Sequence, residues 1–150
     1  MDDFTLGRMK ELKQQGFYCS QILMILGMEL QGRENPDLIR AMQGLAGGLG
    51  FSGETCGALT GGACLLALYA GKGRPNEEEH QYLNPMILDL VDWFKEGYGK
   101  DYGSIRCEDI TTGGRQNLST RCPTMVAGTF QKVKELLVEN GFDLAGPDDD

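Results

Sequence analysis

Five cysteines are the residues of this 150-residue chain whose type best suits redox chemistry or metal binding. They stand far apart in the chain, at Cys19, Cys56, Cys64, Cys107 and Cys122. No two of them form a C-x-x-C motif, so neither a thioredoxin-type redox motif nor a zinc ribbon is present. Any site that several of them share must therefore be assembled by the fold.

Three of these cysteines lie at or near the predicted starts of helices: Cys19, Cys56 and Cys122, the last followed by a proline that suits the first helical position. A helix N-terminus carries partial positive charge and free N–H groups, which stabilise a thiolate and lower the pKa of its thiol. Cys107 falls in a predicted irregular segment, where functional residues are frequent. We therefore expect these four cysteines to be reactive or ligating.

Cys64 differs from the other four. It follows Cys56 on the same predicted helix, about 12 Å further along the axis by the helical rise. That separation exceeds the reach of a disulfide, so the two cannot pair within an intact helix. Because its neighbours are apolar, we expect Cys64 to be a small hydrophobic residue of the core.

The elements that would position the cysteines are helical. Apolar residues recur at helical spacing along nearly the whole chain, and no window alternates at period two. We predict an all-α, single-domain bundle of about six helices around a central, glycine-rich apolar helix, with residues 146–150 as a disordered acidic tail. The helices are expected at Asp3 to Gln15, Cys19 to Leu30, Pro36 to Leu45, Glu54 or Thr55 to Gly71, Asn76 to Glu96 with a kink at Pro85, and Cys122 to Asn140. Residues 97–120 are expected to be irregular, with one turn around Ile105 to Asp109.

The glycines concentrate around Cys56. Ten of the 22 in the chain fall between Gly44 and Gly73. Each glycine inside the central helix lowers helix stability by about 1 kcal/mol relative to alanine. Helices usually contain such glycines where another backbone or a bound group comes close. Gly57 and Gly61, one turn apart, are therefore the predicted cofactor-binding glycines, with N–H groups available to the sulfurs of a redox centre.

Cys19, the stretch Gly53-Glu54-Thr55-Cys56-Gly57-Ala58-Leu59-Thr60-Gly61-Gly62, Cys107 and Cys122 together resemble the C-GCAxxG-C-C family. The segments around Cys19 and Arg121-Cys122-Pro123 fit it as well, and Cys64 is additional to its four cysteines. The central element reads Cys-Gly-Ala rather than Gly-Cys-Ala, so Cys56 is assigned by its place in the motif. The resemblance implies thiol redox chemistry or a bound redox centre. No C-x-x-C-H is present, so covalent c-type haem is not implied.

From these observations we expect Cys19, Cys56, Cys107 and Cys122 to converge beside the central helix. They would bind an iron–sulfur cluster, zinc or another thiophilic metal, or they would cycle between thiol and disulfide without a cofactor. Cys107 and Cys122 are the predicted exchangeable pair. Electron transfer is favoured over hydrolase or transferase activity, because no hydrolytic motif is present and the lone His80 follows an acidic run typical of a solvated surface.

An alternative function is a non-catalytic module that binds a small molecule or an anion at a helix N-terminus. Gly48 to Gly53 matches G-x-G-x-x-G and precedes a predicted helix. In a dinucleotide-binding fold this motif follows a strand, whereas here a helix precedes it. Nucleotide binding is therefore not favoured.

The charge balance excludes two classes of partner. With 14 basic and 22 acidic residues, the net charge is −8, which opposes binding to nucleic acid and to anionic membrane surfaces. No signal peptide or membrane span is predicted, so we expect a cytoplasmic protein. The acidic charge is compatible with a basic redox partner protein. A homodimer is the other assembly that the sequence allows.

Overall fold

The computed structural model describes residues 2–112 and 115–146, and of residues 115–120 the backbone only. The chain is 66% helical, and no strand occurs in the ranges described, which confirms the all-α prediction. The helices of the first half are α1 (Asp3–Gln14), α2 (Cys19–Leu30), α3 (Pro36–Met42) and α4 (Gly57–Ala70). Those of the second half are α5 (Leu83–Phe94), α6 (Lys100–Tyr102), α7 (Cys107–Ile110) and α8 (Arg115–Glu139). The predicted tail lies outside the described residues except for Gly146.

Short-range hydrogen bonds fix the starts of α1 and α3 where the sequence predicted them. The side chain of Asp2 accepts from the Thr5 N–H at 2.7 Å, before α1. The side chain of Asn35 accepts from the Leu38 N–H at 3.1 Å, with Pro36 as the first residue of α3. Such caps satisfy N–H groups that have no partner within the helix.

Helix α4 is the centre of the fold, as predicted, and it packs against α2, α5 and α8. Its glycines face these neighbours at very close range. A Cβ on Gly61 would lie 3.0 Å from the Ser20 Cα of α2, and one on Gly62 would lie 2.7 Å from the Thr129 Cγ2 of α8. Close approach of neighbouring helices is therefore one reason for glycine inside this helix.

The fifth helix begins later than predicted. Asn76 does not cap it, since α5 starts at Leu83 and the preceding residues form turns. The His80 N–H donates to the Ala70 C=O at 2.8 Å, which holds this connection against the end of α4. Pro85 consequently falls in the first helical turn, where its missing N–H costs nothing, and the expected mid-helix kink has no basis.

Two further predictions were wrong between residues 97 and 123. The chain continues from α5 through a π-helical turn at Lys95–Gly99 into α6, so the irregular segment is shorter than expected. The predicted turn near residue 107 is present as α7. Cys122-Pro123 does not open a helix, because α8 begins at Arg115 and contains Pro123. Burial of Met125, Val126 and later α8 residues against the core stabilises the helix despite the hydrogen bond that the proline removes.

None of the helices within the described ranges is long and apolar enough to cross a membrane.

Candidate functional site

The four cysteines of the predicted site lie at one end of α4 and on the elements around it. Cys19 is the first residue of α2, Cys56 immediately precedes α4, and Cys107 is the first residue of α7. Cys122 lies inside α8, so the prediction that it sits at a helix N-terminus was wrong. The third cysteine at a helix start is Cys107.

Cys56 and Cys107 enter their helices from a single antiparallel bridge. Thr55 and Arg106 are opposite each other in this bridge. The Cys56 N–H donates to the Ile105 C=O at 2.8 Å, and the Cys107 N–H donates to the Glu54 C=O at 2.6 Å. The bridge therefore fixes the relative position of two cysteines that are 51 residues apart in the chain.

Cys19 reaches α4 because residue 57 has no side chain. A Cβ on Gly57 would lie 2.8 Å from the Cys19 Sγ and 2.9 Å from the Leu45 C=O oxygen. The predicted glycine Gly57 thus lies directly beside one of the site sulfurs, whereas Gly61 contacts Ser20 one turn further along. Binding of a cofactor by these two glycines stays a prediction.

Burial is the main electrostatic influence on the thiols. It raises the pKa of Cys56 to about 12 and the pKa values of Cys19 and Cys122 to about 11. Burial also raises the pKa of Cys107, while its hydrogen bond with Thr111 acts in the opposite direction. The expected lowering of thiol pKa values at helix N-termini was wrong, because desolvation of the thiolate outweighs the backbone N–H donors.

Those donors are nevertheless present. Backbone N–H groups of Ser20 and Gly47 lower the pKa of the Cys19 thiol against the effect of burial. The N–H groups of Ala58 and Leu59, in the first turn of α4, act on the Cys56 thiol in the same direction, although the Leu59 N–H donates to the Cys56 C=O and not to its sulfur. The N-terminus of α4 therefore lies beside a sulfur of this chain. This is where the alternative function would have placed an anion.

Charges on these cysteines also affect neighbouring thiols of the set. In addition to the effect of burial, negative charge on Cys122 and Cys107 raises the pKa of Cys19, and charge on Cys19 and Cys107 raises the pKa of Cys56. Charge on Cys56 and Cys107 likewise raises the pKa of Cys122. Four residues from distant parts of the sequence thus share one electrostatic environment. We call them the four-cysteine site.

Cys64 does not belong to the four-cysteine site. Burial alone raises its pKa, with no contribution from another cysteine. It lies on α4, half-buried against the hydrophobic core rather than fully inside it. Its expected place as an interior core residue is therefore corrected to the margin of the core.

Two basic residues near the site were not assigned a role from the sequence. Positive charge on Lys13, in the last turn of α1, lowers the pKa of Cys122. Arg121 donates from Nη1 to the Ile110 C=O at 2.6 Å and lies over the Tyr102 ring, 4.4 Å from its centroid. Arg121 thereby joins the end of α7 to α8, next to Cys122. Neither role follows from spacing, because both depend on how the helices pack.

Within the described residues, the site does not have the geometry of a single bound metal ion. Among the described residues, no three His, Cys, Asp or Glu side chains lie close enough together to hold one ion. A zinc site needs four ligand atoms around one point, with sulfur at about 2.3 Å. An iron–sulfur cluster is bound by cysteines on separate iron atoms, so its ligands need not meet at one point. An all-thiol donor set meets the ligand requirement of such a cluster.

The fold and site define an all-α protein with four cysteines gathered around the N-terminus of its central helix. A family model described as "Putative redox-active protein (C_GCAxxG_C_C)" matches residues 17–136, well over half of the chain. The chain therefore belongs to this family, and its membership confirms the resemblance seen in the sequence. Comparison with curated proteins and with solved structures found no match.

Proposed function

We propose that the protein transfers electrons through an iron–sulfur cluster held by Cys19, Cys56, Cys107 and Cys122. The observation that carries the proposal is the convergence of these four cysteines at the N-terminal end of α4. The Thr55–Arg106 bridge positions Cys56 and Cys107, the Cys19 sulfur lies against Gly57, and charge on Cys56 and Cys107 raises the pKa of Cys122. Membership of a redox-active family supports the general class of function. When bound, such a cluster accepts one electron from a reductant and passes it to an acceptor.

The charges favour a bound metal over free thiolates. Several buried thiolates would repel one another, and each would lose its hydration, so together they need positive charge nearby. Lys13 supplies one positive charge, which lowers the pKa of Cys122. Iron ions would supply the remaining positive charge, because a coordinated thiol gives up its proton to the metal site.

The backbone around the sulfurs would set the properties of the cluster. Hydrogen bonds to cluster sulfurs and exclusion of water are the means by which proteins tune reduction potentials. N–H groups of Ser20 and Gly47 already lower the pKa of Cys19, and those of Ala58 and Leu59 lower the pKa of Cys56, against the effect of burial. Cys56 is only 4% exposed, so water has little access to that side of the site.

Anaerobic reconstitution with iron and sulfide tests this proposal. We expect visible charge-transfer absorption that is lost or strongly reduced when any one of the four cysteines is replaced by serine. Cys64→Ser is the matched control and should retain the absorption. Loss in Cys64→Ser with retention in Cys56→Ser would contradict the assignment.

A second candidate is thiol–disulfide exchange by Cys107 and Cys122. Both are only partly buried, negative charge on Cys107 raises the pKa of Cys122, and Arg121 ties their two helices together. The thiolate of Cys107 would attack a disulfide of a partner protein, and Cys122 would then displace the partner from the mixed disulfide. Two electrons and two protons pass to the partner, which leaves as a dithiol.

The two candidates differ in a simple observable. Thiol exchange predicts that the metal-free protein, treated with an oxidised dithiol reagent, forms one Cys107–Cys122 disulfide and keeps three free thiols by mass spectrometry, since the chain has five cysteines. A protein that forms no such bond, or pairs other cysteines equally well, contradicts exchange by this pair.

A further inference from the structure

The loop before α4 holds two bulky residues in a backbone conformation that suits glycine. From Gly47 to Phe51 every residue has a positive φ, including Leu49 at 71° and Phe51 at 62°. Left-handed backbone is costly for residues with a Cβ, and it is rare for large apolar ones. Three of the five residues in this left-handed turn are glycine already. Leucine and phenylalanine therefore stand where glycine would be the less strained choice.

The strained side chains are also exposed. Leu49 is 51% and Phe51 61% exposed. Phe51 makes an edge-on ring contact with Tyr18, with centroids 5.1 Å apart, and Tyr18 is itself 41% exposed. Neither burial in the core nor backbone preference explains these apolar residues. Adjacent exposed apolar side chains mark surfaces that contact another molecule.

The turn is held firmly in place. The Phe51 N–H donates to the Ala46 C=O at 3.1 Å, and the Ser52 hydroxyl donates to the carbonyls of Gly48 and Leu49 at 2.9 and 2.8 Å. A Cβ on Gly47 would collide with the Phe51 ring, so glycine at that position lets the ring pack against the backbone of residue 47. The exposed side chains are thus presented in a fixed arrangement, which lowers the entropic cost of binding.

This surface begins beside Cys19 of the four-cysteine site. Tyr18 directly precedes Cys19. Leu45 and Ala46, immediately before the turn, lie with the Cys19 sulfur around Gly57, whose Cβ position is 2.9 Å from the Leu45 C=O oxygen and 2.8 Å from the Cys19 Sγ. We infer that Tyr18, Leu49 and Phe51 form the docking surface for a basic redox partner protein. The inference rests on the proposed function and adds where the partner binds and what its surface must be like.

Charge favours a basic partner protein at this surface over a second copy of this chain or an anionic membrane. Glu54 lies further along the same loop, with its backbone against Gly48 of the turn. Glu54 and Glu108 of α7 both pair with Arg106, at 3.5 and 3.2 Å, so these three side chains carry a net negative charge next to the apolar residues. The whole chain carries a net charge of −8. A second copy would bring the same charge, and an anionic membrane would be repelled as well. An apolar contact face bordered by lysine or arginine is the complementary partner surface.

Binding of a basic c-type cytochrome, used as a probe with a lysine-ringed apolar face, tests the inference by calorimetry. The reduced, metal-free protein is used, so that failure to form a cluster and failure to dock are separate results. Leu49→Gly/Phe51→Gly suits the left-handed backbone and should keep the fold by circular dichroism. It should weaken binding by at least about tenfold, as loss of central apolar contacts does.

Leu88→Ala/Val138→Ala is the matched control, since these residues are 63% and 59% exposed on α5 and α8. It should bind within about twofold of the unmodified protein, and added salt should weaken binding to both. Unchanged binding by the folded glycine variant would overturn the inference, as would no binding of the cytochrome at low salt or equal binding of an acidic flavodoxin. If the unmodified protein forms a dimer in sedimentation or pellets with anionic vesicles, and the glycine variant does not, the surface binds a second copy or a membrane instead. Either result would also overturn the inference.

Discussion

The sulfur of Cys19 lies against the bare backbone of Gly57, where a methyl group would stand 2.8 Å from the Sγ atom. The Leu45 carbonyl oxygen would be 2.9 Å from the same methyl group, so the methyl would be too close to two neighbours. Gly57 and Cys19, which lie on different helices, therefore pack directly against each other. The position of Cys19 in the site depends on the absence of a side chain at residue 57.

Replacement of Gly57 by alanine should displace Cys19 or α2. We expect Gly57→Ala to lower the free energy of unfolding by about 1–3 kcal/mol, the usual cost of overpacking. It should also reduce cluster content after reconstitution. Gly7→Ala on α1 is the control, because a Cβ there meets nothing within 4 Å. A Gly57→Ala protein with the stability and cluster content of the Gly7→Ala protein would show that this contact is unimportant.

Replacement of Thr129 by valine should stabilise the protein. Thr129 is fully buried between α8 and α4, and its hydroxyl has no hydrogen-bond partner within the part of the chain described. Removal of an unpaired buried hydroxyl at constant shape should raise the free energy of unfolding by about 1 kcal/mol. Urea unfolding measures this.

Ser20 provides the opposite case. Its buried hydroxyl donates to the Met42 C=O at 2.7 Å, so Ser20→Ala removes a buried hydrogen bond between α2 and the end of α3. We expect a loss of about 1–2 kcal/mol in the same unfolding experiment. Equal effects of Thr129→Val and Ser20→Ala would mean that the hydrogen-bond assignments do not govern stability here.

The stability of the reduced, metal-free protein should fall at alkaline pH. Folding raises the pKa values of Cys19 and Cys122 to about 11 and that of Cys56 to about 12, from an ordinary value of 9.0. The folded state therefore holds these protons more tightly than the unfolded state. The resulting stabilisation is fully present below pH 9.0 and is lost as the pH rises through 11.

Urea unfolding at about pH 8 and about pH 10 measures this loss. Lysine and tyrosine titrate in the same range, so the informative quantity is the difference between the unmodified protein and Cys56→Ala. The variant should lose less stability between the two pH values. The same loss in both proteins would be the contrary result.

Arg121 should hold α7 in place. Arg121→Ala removes the hydrogen bond to the Ile110 carbonyl and the contact with the Tyr102 ring. We expect a loss of about 1–3 kcal/mol in unfolding free energy, since the carbonyl loses a charged donor. Faster alkylation of Cys107 should accompany it, because α7 carries that cysteine. Arg74→Ala, at an exposed arginine, should change neither quantity.

The sequence predicted the helices whose signals are local. Asn35 and Pro36 place the start of α3 correctly because a cap and a fixed φ act within one turn. The same reasoning failed at Cys122 and Pro123, where the core contacts of α8 outweigh the preference of proline for a helix start. It failed again at Asn76, because the hydrogen bond between His80 and Ala70 depends on residues that meet only in the fold.

The sequence predicted which cysteines form the candidate site, but it did not predict the direction in which their thiol pKa values shift. The rise of a helix is enough to separate Cys56 from Cys64, since both residues stand on one predicted helix. Burial could not be read from the motif, so the expected lowering of the thiol pKa values was reversed. The strained Leu49 and Phe51 were likewise hidden, since a glycine-rich stretch does not reveal which of its other residues adopt a positive φ.

Iron and acid-labile sulfide per chain, in protein isolated under anaerobic conditions, test the central proposal most directly. An iron–sulfur cluster at the four-cysteine site predicts iron and sulfide in equal amounts. Both should be lost in Cys56→Ser and kept in Cys64→Ser. Zinc without sulfide, or a metal-free protein with all its thiols free, would contradict the proposal.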